Sequence, residues 1–212
     1  APYTGSDQEI ISSGFVGDYE ILLKQRKQEG ESGADGFRGD PMRCFTPSAL
    51  PVFAALASEF LVCDNWFASV PGPTFPNRMF IHAATSDGIT ESPTEAQLAV
   101  ASAIAGYEFE NGHIFDRLDA KNLAWYVYVG DRAFNQTVLM HGIEITDLSA
   151  FEDFADDLAD PDFDGSYVFI EPNYDPLNDY LEGNSMHPLN SPMKAEVLVR
   201  KVEVFSLTYH KQ

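Results

Sequence analysis

The sequence predicts an α/β fold built on a mainly parallel sheet. Two short runs of aromatic and β-branched residues, Trp125–Val129 and Tyr167–Ile170, have the composition of buried strands. Segments with apolar residues at helical spacing lie around and between them. Strands alternating with helices favour parallel neighbours joined by crossovers. Of the 212 residues, 44% are hydrophobic and 13% aromatic, so a sizeable core can be buried. That length suits one domain, or two small ones.

The elements follow in order along the chain. Residues 1–18 are rich in Gly, Ser and Asp and read as an irregular lead-in; the whole stretch 1–40 carries little pattern. Tyr19–Gln28 reads as a short helix, and Gly30–Gly39 as a glycine-rich loop. Thr46-Pro47 is a good helix start, because Thr caps well and Pro suits the first helical position. Leu50, Phe53, Ala54, Leu56, Ala57 and Phe60 then recur at helical spacing through Glu59. Phe60–Trp66 reads as an apolar strand, Val70–Thr74 as a rigid turn, and Phe75–Ala84 as a helix with Pro76 in its first turn. Residues 86–111 are expected to be irregular. Ile114–Ala120 is a short helix, Asp147–Leu158 an acidic amphipathic helix, and Glu196–Val202 a further helix. Val204–Gln212 reads as a strand-like stretch that leaves the pattern, within a divergent tail at 203–212.

Charge narrows the function. Lys plus Arg is 13 against 33 for Asp plus Glu, giving a net charge of −20. Such a surface repels phosphate backbones and argues against a nucleic-acid binder. It equally opposes electrostatic docking on anionic membranes. No run approaches the roughly 18 apolar residues of a membrane-spanning helix. Cys44 and Cys63 exclude a disulfide-dense scaffold and a cysteine-only zinc site, and read as small buried residues unless the chain is secreted, where they could pair. The sequence opens at Ala1 without a signal-peptide pattern. With the unsupported strand-like tail, this raises the expectation of a piece of a longer fold.

The most informative stretch runs from Asp64 to Phe80. It places a hydroxyl residue, Thr74, after a Pro/Gly turn and at the start of a helix. Free amides and the positive end of the helix dipole favour an anion there. A hydroxyl so placed can attack a phosphoryl group while the amides hold its oxygens. Asn77 and Arg78, a turn later, can add donors to the substrate. The plainer alternative is that Thr74 is a helix cap and Arg78 a surface residue.

The segment from Met42-Arg-Cys-Phe-Thr-Pro47 to Phe80-Ile-His-Ala-Ala-Thr-Ser86 resembles the phosphoesterase family of non-haemolytic phospholipases C and related acid phosphatases. Ser69-Val-Pro-Gly-Pro-Thr-Phe-Pro-Asn-Arg78 is the most distinctive run. Ile114-Phe-Asp-Arg-Leu118 with Tyr128-Val-Gly-Asp131, then Phe169-Ile-Glu-Pro172, then Asn184-Ser-Met-His-Pro188 follow in the family's order. The resemblance implies a three-layer, alkaline-phosphatase-like α/β fold that this chain supplies incompletely. It implies hydrolysis of phosphate esters by a Thr or Ser nucleophile with a divalent metal ion of unspecified identity. Thr74 falls on the nucleophile position and is the one metal ligand carried over. Asn77 falls in the nucleophile's helix as a substrate-side contact, beside Arg78, and His187 on a histidine that binds or protonates near the phosphate. The expected substrate is a phosphate-ester small molecule or a phospholipid headgroup. The family's frequent export favours a secreted, periplasmic or cell-surface location.

The family also carries acidic metal-bearing runs at each end of its catalytic domain, and this chain contains neither. Ser185 stands where the family has Asp. An inactive fragment or pseudo-enzyme is therefore the alternative from another class. A third is a calcium-binding module, because Asp160-Pro-Asp162-Phe-Asp164-Gly165 followed by Glu171 fits the EF-hand loop pattern. Pro172 and the strand-like Tyr167–Ile170 oppose it. His82 reads as a polar packing residue. His113 and His141 read as surface or satisfied polar positions, and His210 lies in the tail. Asn135-Gln-Thr137 is a glycosylation sequon, meaningful only on a secreted eukaryotic chain.

Overall fold

The computed structural model describes residues 14–30, 35–94, 106–131, 135–175, 182–187 and 191–209. The chain divides into two units, residues 1–55 and 56–212. In the first, α1 (Gly14–Glu29) starts earlier than Tyr19, so the end of the expected lead-in is helical. Arg26 and Lys27 lie in its last turn, where positive charge favours the helix dipole. α2 spans Pro51–Glu59 and not the expected start at Thr46. The Ala49 and Leu50 amides close a turn on the Thr46 carbonyl instead. Pro51 has no N–H to continue a helix begun upstream, but it fits a first turn.

The second unit is a three-layer α/β/α arrangement. β1 (Trp125–Val129) lies between β2 (Leu148–Ala150) and β3 (Tyr167–Glu171), and both pairings are parallel. Val127 is level with Leu148 on one side and with Phe169 on the other. Successive strand residues face opposite sides. Trp125, Val127 and Val129, with Tyr167 and Phe169, pack with Phe75, Met79 and Ala83 of α3 (Thr74–Ala83) and Phe115 of α4 (Ile114–Asp119). Tyr126, Tyr128, Val168 and Ile170 pack with Phe154 and Leu158 of α5 (Phe154–Ala159) and with Leu198, Val202 and Phe205 of α6 (Pro192–Tyr209). A sheet covered on both faces explains why β1 and β3 read as continuous apolar runs.

Four further sequence expectations are overturned. Phe60–Trp66 is an exposed irregular segment, with Leu61 89% and Trp66 80% accessible. A strand needs a hydrogen-bonded neighbour, and among the described residues this run has none. Asp147–Leu158 is not one helix: Leu148–Ala150 is β2, and only Phe154–Ala159 is α-helical. Val204–Tyr209 belongs to α6, whose Leu198, Val202 and Phe205 recur at helical spacing against the sheet. His210 lies outside the described residues. Cys44 and Cys63 are free and exposed, not buried.

Gly130 ends β1 at a close backbone crossing. Its amide donates to the Glu171 carbonyl at 3.0 Å. A Cβ there would stand 2.6 Å from the Asn173 nitrogen and 3.0 Å from the Pro172 carbonyl carbon. Both are backbone atoms that cannot swing aside. Gly130→Ala is expected to cost about 1–3 kcal/mol, read as a lowered urea midpoint with an unchanged slope.

Candidate active site

α3 begins directly after the Val70–Pro73 turn, and Asn77 clasps that turn. Its Oδ1 accepts from the Val70 amide at 3.0 Å. Its Nδ2 faces the carbonyls of Val70, Gly72 and Pro73 at 3.0, 3.3 and 3.0 Å. The side chain expected to contact substrate is thus committed to shaping the loop ahead of Thr74. Pro73 is the cap residue, with extended backbone and no side-chain capping bond. Of the amides a helix start leaves unbonded, Pro73 and Pro76 lack theirs, so Thr74 and Phe75 supply those that remain. Thr74 is exposed at the first helical position.

Side-chain pairs set the direction of α3 across the sheet. The His82 ring meets Phe169 edge-on at 4.7 Å, and one turn earlier Arg78 pairs with Glu171. Four residues of helix rise about 6 Å, and two residues of strand about 6.6 Å. The helix therefore runs antiparallel to β3. One further turn back brings Thr74 to the level of Asn173, just beyond the strand's carboxyl end. Open α/β sheets bind ligands in the crevice outside the carboxyl ends of their strands.

Other loops converge on this end. The Asn184 amide donates to the Asn173 carbonyl at 2.9 Å, and the Asn173 amide donates to Asn184 Oδ1 at 2.7 Å. This pins residues 182–187, so half-buried His187, three residues on, stands at the same end of the sheet as Thr74. The His187 amide donates to Ser185 Oγ at 3.3 Å. The Asn173 side-chain oxygen is buried and has no hydrogen-bond partner among the described residues.

Arg78 is buried rather than on the surface, and its charge is met inside the protein. Glu171, 1% exposed, ion-pairs with it. Arg78 Nη2 donates to Tyr174 Oη at 2.8 Å, and Tyr174 Oη donates to Glu171 Oε2 at 3.1 Å. Glu171 Oε1 also accepts from Thr137 Oγ1 at 2.6 Å and from Asn135 Nδ2 at 2.8 Å. Burial opposes the Arg78 charge most strongly, but Glu171 and Tyr174 together outweigh it and hold the guanidinium pKa above its ordinary value. Burial pushes the Tyr174 phenol up.

This cluster decides two of the sequence alternatives. Glu171 closes β3 with its carboxylate inside the Arg78 network, and Asp164 accepts from Tyr126 Oη at 3.0 Å. The stretch from Asp160 to Glu171 therefore lacks EF-hand geometry. Asn135 is buried and bonded to Glu171, so the sequon is not presented for glycosylation.

His82 is a core residue, as expected. It stacks on Phe115 at 5.3 Å, and its Nδ1 pairs with the Arg78 carbonyl at 3.2 Å. Burial first, then the nearby Arg78 charge, lowers its pKa from 6.5 to about 4; Glu171 opposes the shift and His113 adds to it. The unfolded chain therefore takes up a proton that the folded one refuses between about pH 6.5 and 4. Stability is expected to fall through that window as pH drops, by up to roughly 3 kcal/mol. Urea unfolding at pH 7 and pH 4 should show this loss, and His82→Leu should shrink it. His113, expected at the surface or as a satisfied polar group, is the latter. It caps α4 by accepting from the Asp116 amide, and its Nε2 donates to the His141 carbonyl at 2.8 Å.

Residues 18–205 match the model of the phosphoesterase family. The chain belongs to that family. Non-specific phospholipase C5 of Arabidopsis thaliana is 33% identical to this chain over 195 residues, covering 90% of the chain and 33% of the relative. Non-specific phospholipase C6 of the same plant is 34% identical over 209 residues, covering 92% and 36%. Non-specific phospholipase C1, also of that plant, is 40% identical over 101 residues, covering 48% and 17%. The chain thus spans about a third of the length of C5 and C6.

The divalent metal implied by the resemblance finds no cage among the described residues. No three His, Cys, Asp or Glu side chains there form a candidate metal group. Glu171, at the strand ends, has its carboxylate engaged by four protein side chains. Thr74 alone offers one neutral oxygen, short of the six to eight oxygens calcium takes or the four ligands of a zinc site. The described residues do not by themselves fit the ion. No helix among them is long and apolar enough to cross a membrane.

Proposed function

We propose that this chain carries the nucleophile of a phosphate-ester hydrolase, with Thr74 as the attacking group and a phospholipid-type phosphodiester as substrate. The observation that carries the reading is the placement of Thr74. It is exposed, follows a clasped turn and opens an uncapped helix, and the contacts of His82 and Arg78 with β3 put it towards that strand's carboxyl end. Membership of the phosphoesterase family and the names of the plant relatives support the substrate class. In the first step Thr74 Oγ bonds to phosphorus and gives up its proton to solvent, while the P–O bond to the ester oxygen breaks and that oxygen takes up a proton as it leaves. His187 is the group at this end suited to supplying it. Water then cleaves the Thr74–phosphoryl ester and frees the hydroxyl. The Thr74 and Phe75 amides hold the negative oxygens of the reacting phosphate. Asn77 and Arg78 act through the turn and through Glu171.

A second reading, a chain that does not turn over unaided, draws on the exposed apolar run Phe60–Phe67. Large exposed apolar patches on soluble proteins mark surfaces that a partner covers. Hydrolysis of p-nitrophenyl phosphorylcholine and p-nitrophenyl phosphate separates the two. Calcium, magnesium, manganese and zinc are added in turn, with Thr74→Ala as control. Turnover lost in the variant supports the first reading. A folded chain silent under every condition supports the second.

A further inference from the structure

Glu171 draws buried and half-buried donors from separate parts of the chain onto one carboxylate. Arg78 comes from α3, Asn135 and Thr137 from the stretch after β1, and Tyr174 from the stretch after β3. Asn135 in turn accepts from the Thr137 amide at 2.7 Å, which fixes the direction of its own donor. The apolar residues of α3 already attach it to the sheet through Phe75, Met79 and Ala83. Apolar contacts resist separation but leave sliding and rotation less constrained, because they have no preferred direction. A guanidinium fork held by a carboxylate and a phenol is directional. It lies one helical turn from Thr74, on the same face of the helix.

We infer that Glu171 is a positioning residue: through Arg78 it fixes the axial and rotational setting of α3, and with it where the Thr74 hydroxyl stands over the strand ends. Its value for function rests on the reading of Thr74 as nucleophile, whereas its geometric content does not. The pair is a register pin, a role that buried polar groups serve in other folds at no gain in stability.

The test separates positioning from stability. Spin labels are placed at Thr74→Cys and Lys121→Cys, two exposed sites at opposite ends of the sheet. Cys44 and Cys63 are replaced by Ser. Distance distributions are then measured by pulsed electron resonance in the otherwise native chain, in Arg78→Lys and in Arg78→Met with Glu171→Leu. The double variant replaces the ion pair by apolar groups, a change that is often neutral for folding. The expected result is a cooperative unfolding transition, lowered by the donors of Asn135, Thr137 and Tyr174 that lose their acceptor, with a distance distribution displaced or at least twice as wide. Arg78→Lys keeps the charge but loses the fork, and is expected to broaden the distribution too; it decides the matter if the double variant does not fold. A distribution identical to the parent's in the folded variants overturns the inference.

In the chain with Thr74 restored, the same substitutions are expected to lower kcat by about 100-fold with KM within twofold, as a misplaced reacting group does. An unchanged kcat in a folded variant also overturns it. Silence of the parent on every substrate counts against the nucleophile reading alone and leaves the distances to decide this one.

Discussion

Glu171→Ala is expected to be the most destabilising single substitution in the sheet, costing about 3–5 kcal/mol. The loss does not measure the worth of the Arg78–Glu171 pair. It measures what is left behind: a guanidinium 6% exposed, facing the space of the lost carboxylate. Asn135, Thr137 and Tyr174 lose their acceptor in the same step, and buried donors without partners carry the full cost of desolvation. Glu171→Gln should cost less, because an amide oxygen still accepts two of the bonds. Replacing both charged residues by apolar ones of similar size should recover the part of the loss due to the stranded guanidinium, and leave the part due to Asn135, Thr137 and Tyr174. Urea unfolding at pH 7 of the four chains checks the order. An alanine variant as stable as the parent would show that Arg78 has another partner.

Thr74→Ala is expected to abolish turnover while leaving the fold intact. Thr74 is exposed and heads a helix whose cap residue, Pro73, uses no side-chain bond. Surface substitutions of this kind usually stay within 0.5 kcal/mol. On the proposed reading of Thr74 as the nucleophile, its removal should lower kcat by at least about 1,000-fold, equivalent to some 4 kcal/mol of barrier. Thr74→Ser keeps the hydroxyl and should keep measurable turnover. Equal loss in the Ser and Ala variants would point to a role for the Thr74 methyl group instead.

The sequence made the central layer of the fold legible. Trp125–Val129 and Tyr167–Ile170 are strands because their residues are apolar on both faces, and the sheet is covered on both faces. β2 was hidden. Leu148–Ala150 sits in an acidic stretch with a helical pattern and becomes a strand only by pairing with Val127–Val129. The end of α6 was hidden for the opposite reason, since Val204-Phe205 is locally β-like and is held helical by packing through Phe205. Phe60–Trp66 has strand composition without a strand partner, and local pattern cannot supply one.

At the site, the turn and the position of Thr74 were readable from Val70–Thr74 and the following helix. The network behind them was not. Arg78 read as a surface or substrate-binding donor, and Glu171 read as a strand end or a calcium ligand. Nothing local to either announces the other, because a contact so distant in sequence is made only by the sheet. The one available signal was a charged residue, Glu171, closing an otherwise apolar strand run, which asks for a buried partner.

The most direct test of the account is to look for the covalent intermediate. The chain would be mixed with p-nitrophenyl phosphorylcholine, with calcium, magnesium, manganese or zinc added in turn, quenched in acid within one turnover, digested and sequenced by mass spectrometry. The account predicts a phosphorylcholine group on Thr74 in the parent and none in Thr74→Ala. Nitrophenol release with no label on Thr74, or with the label on another residue, would contradict it.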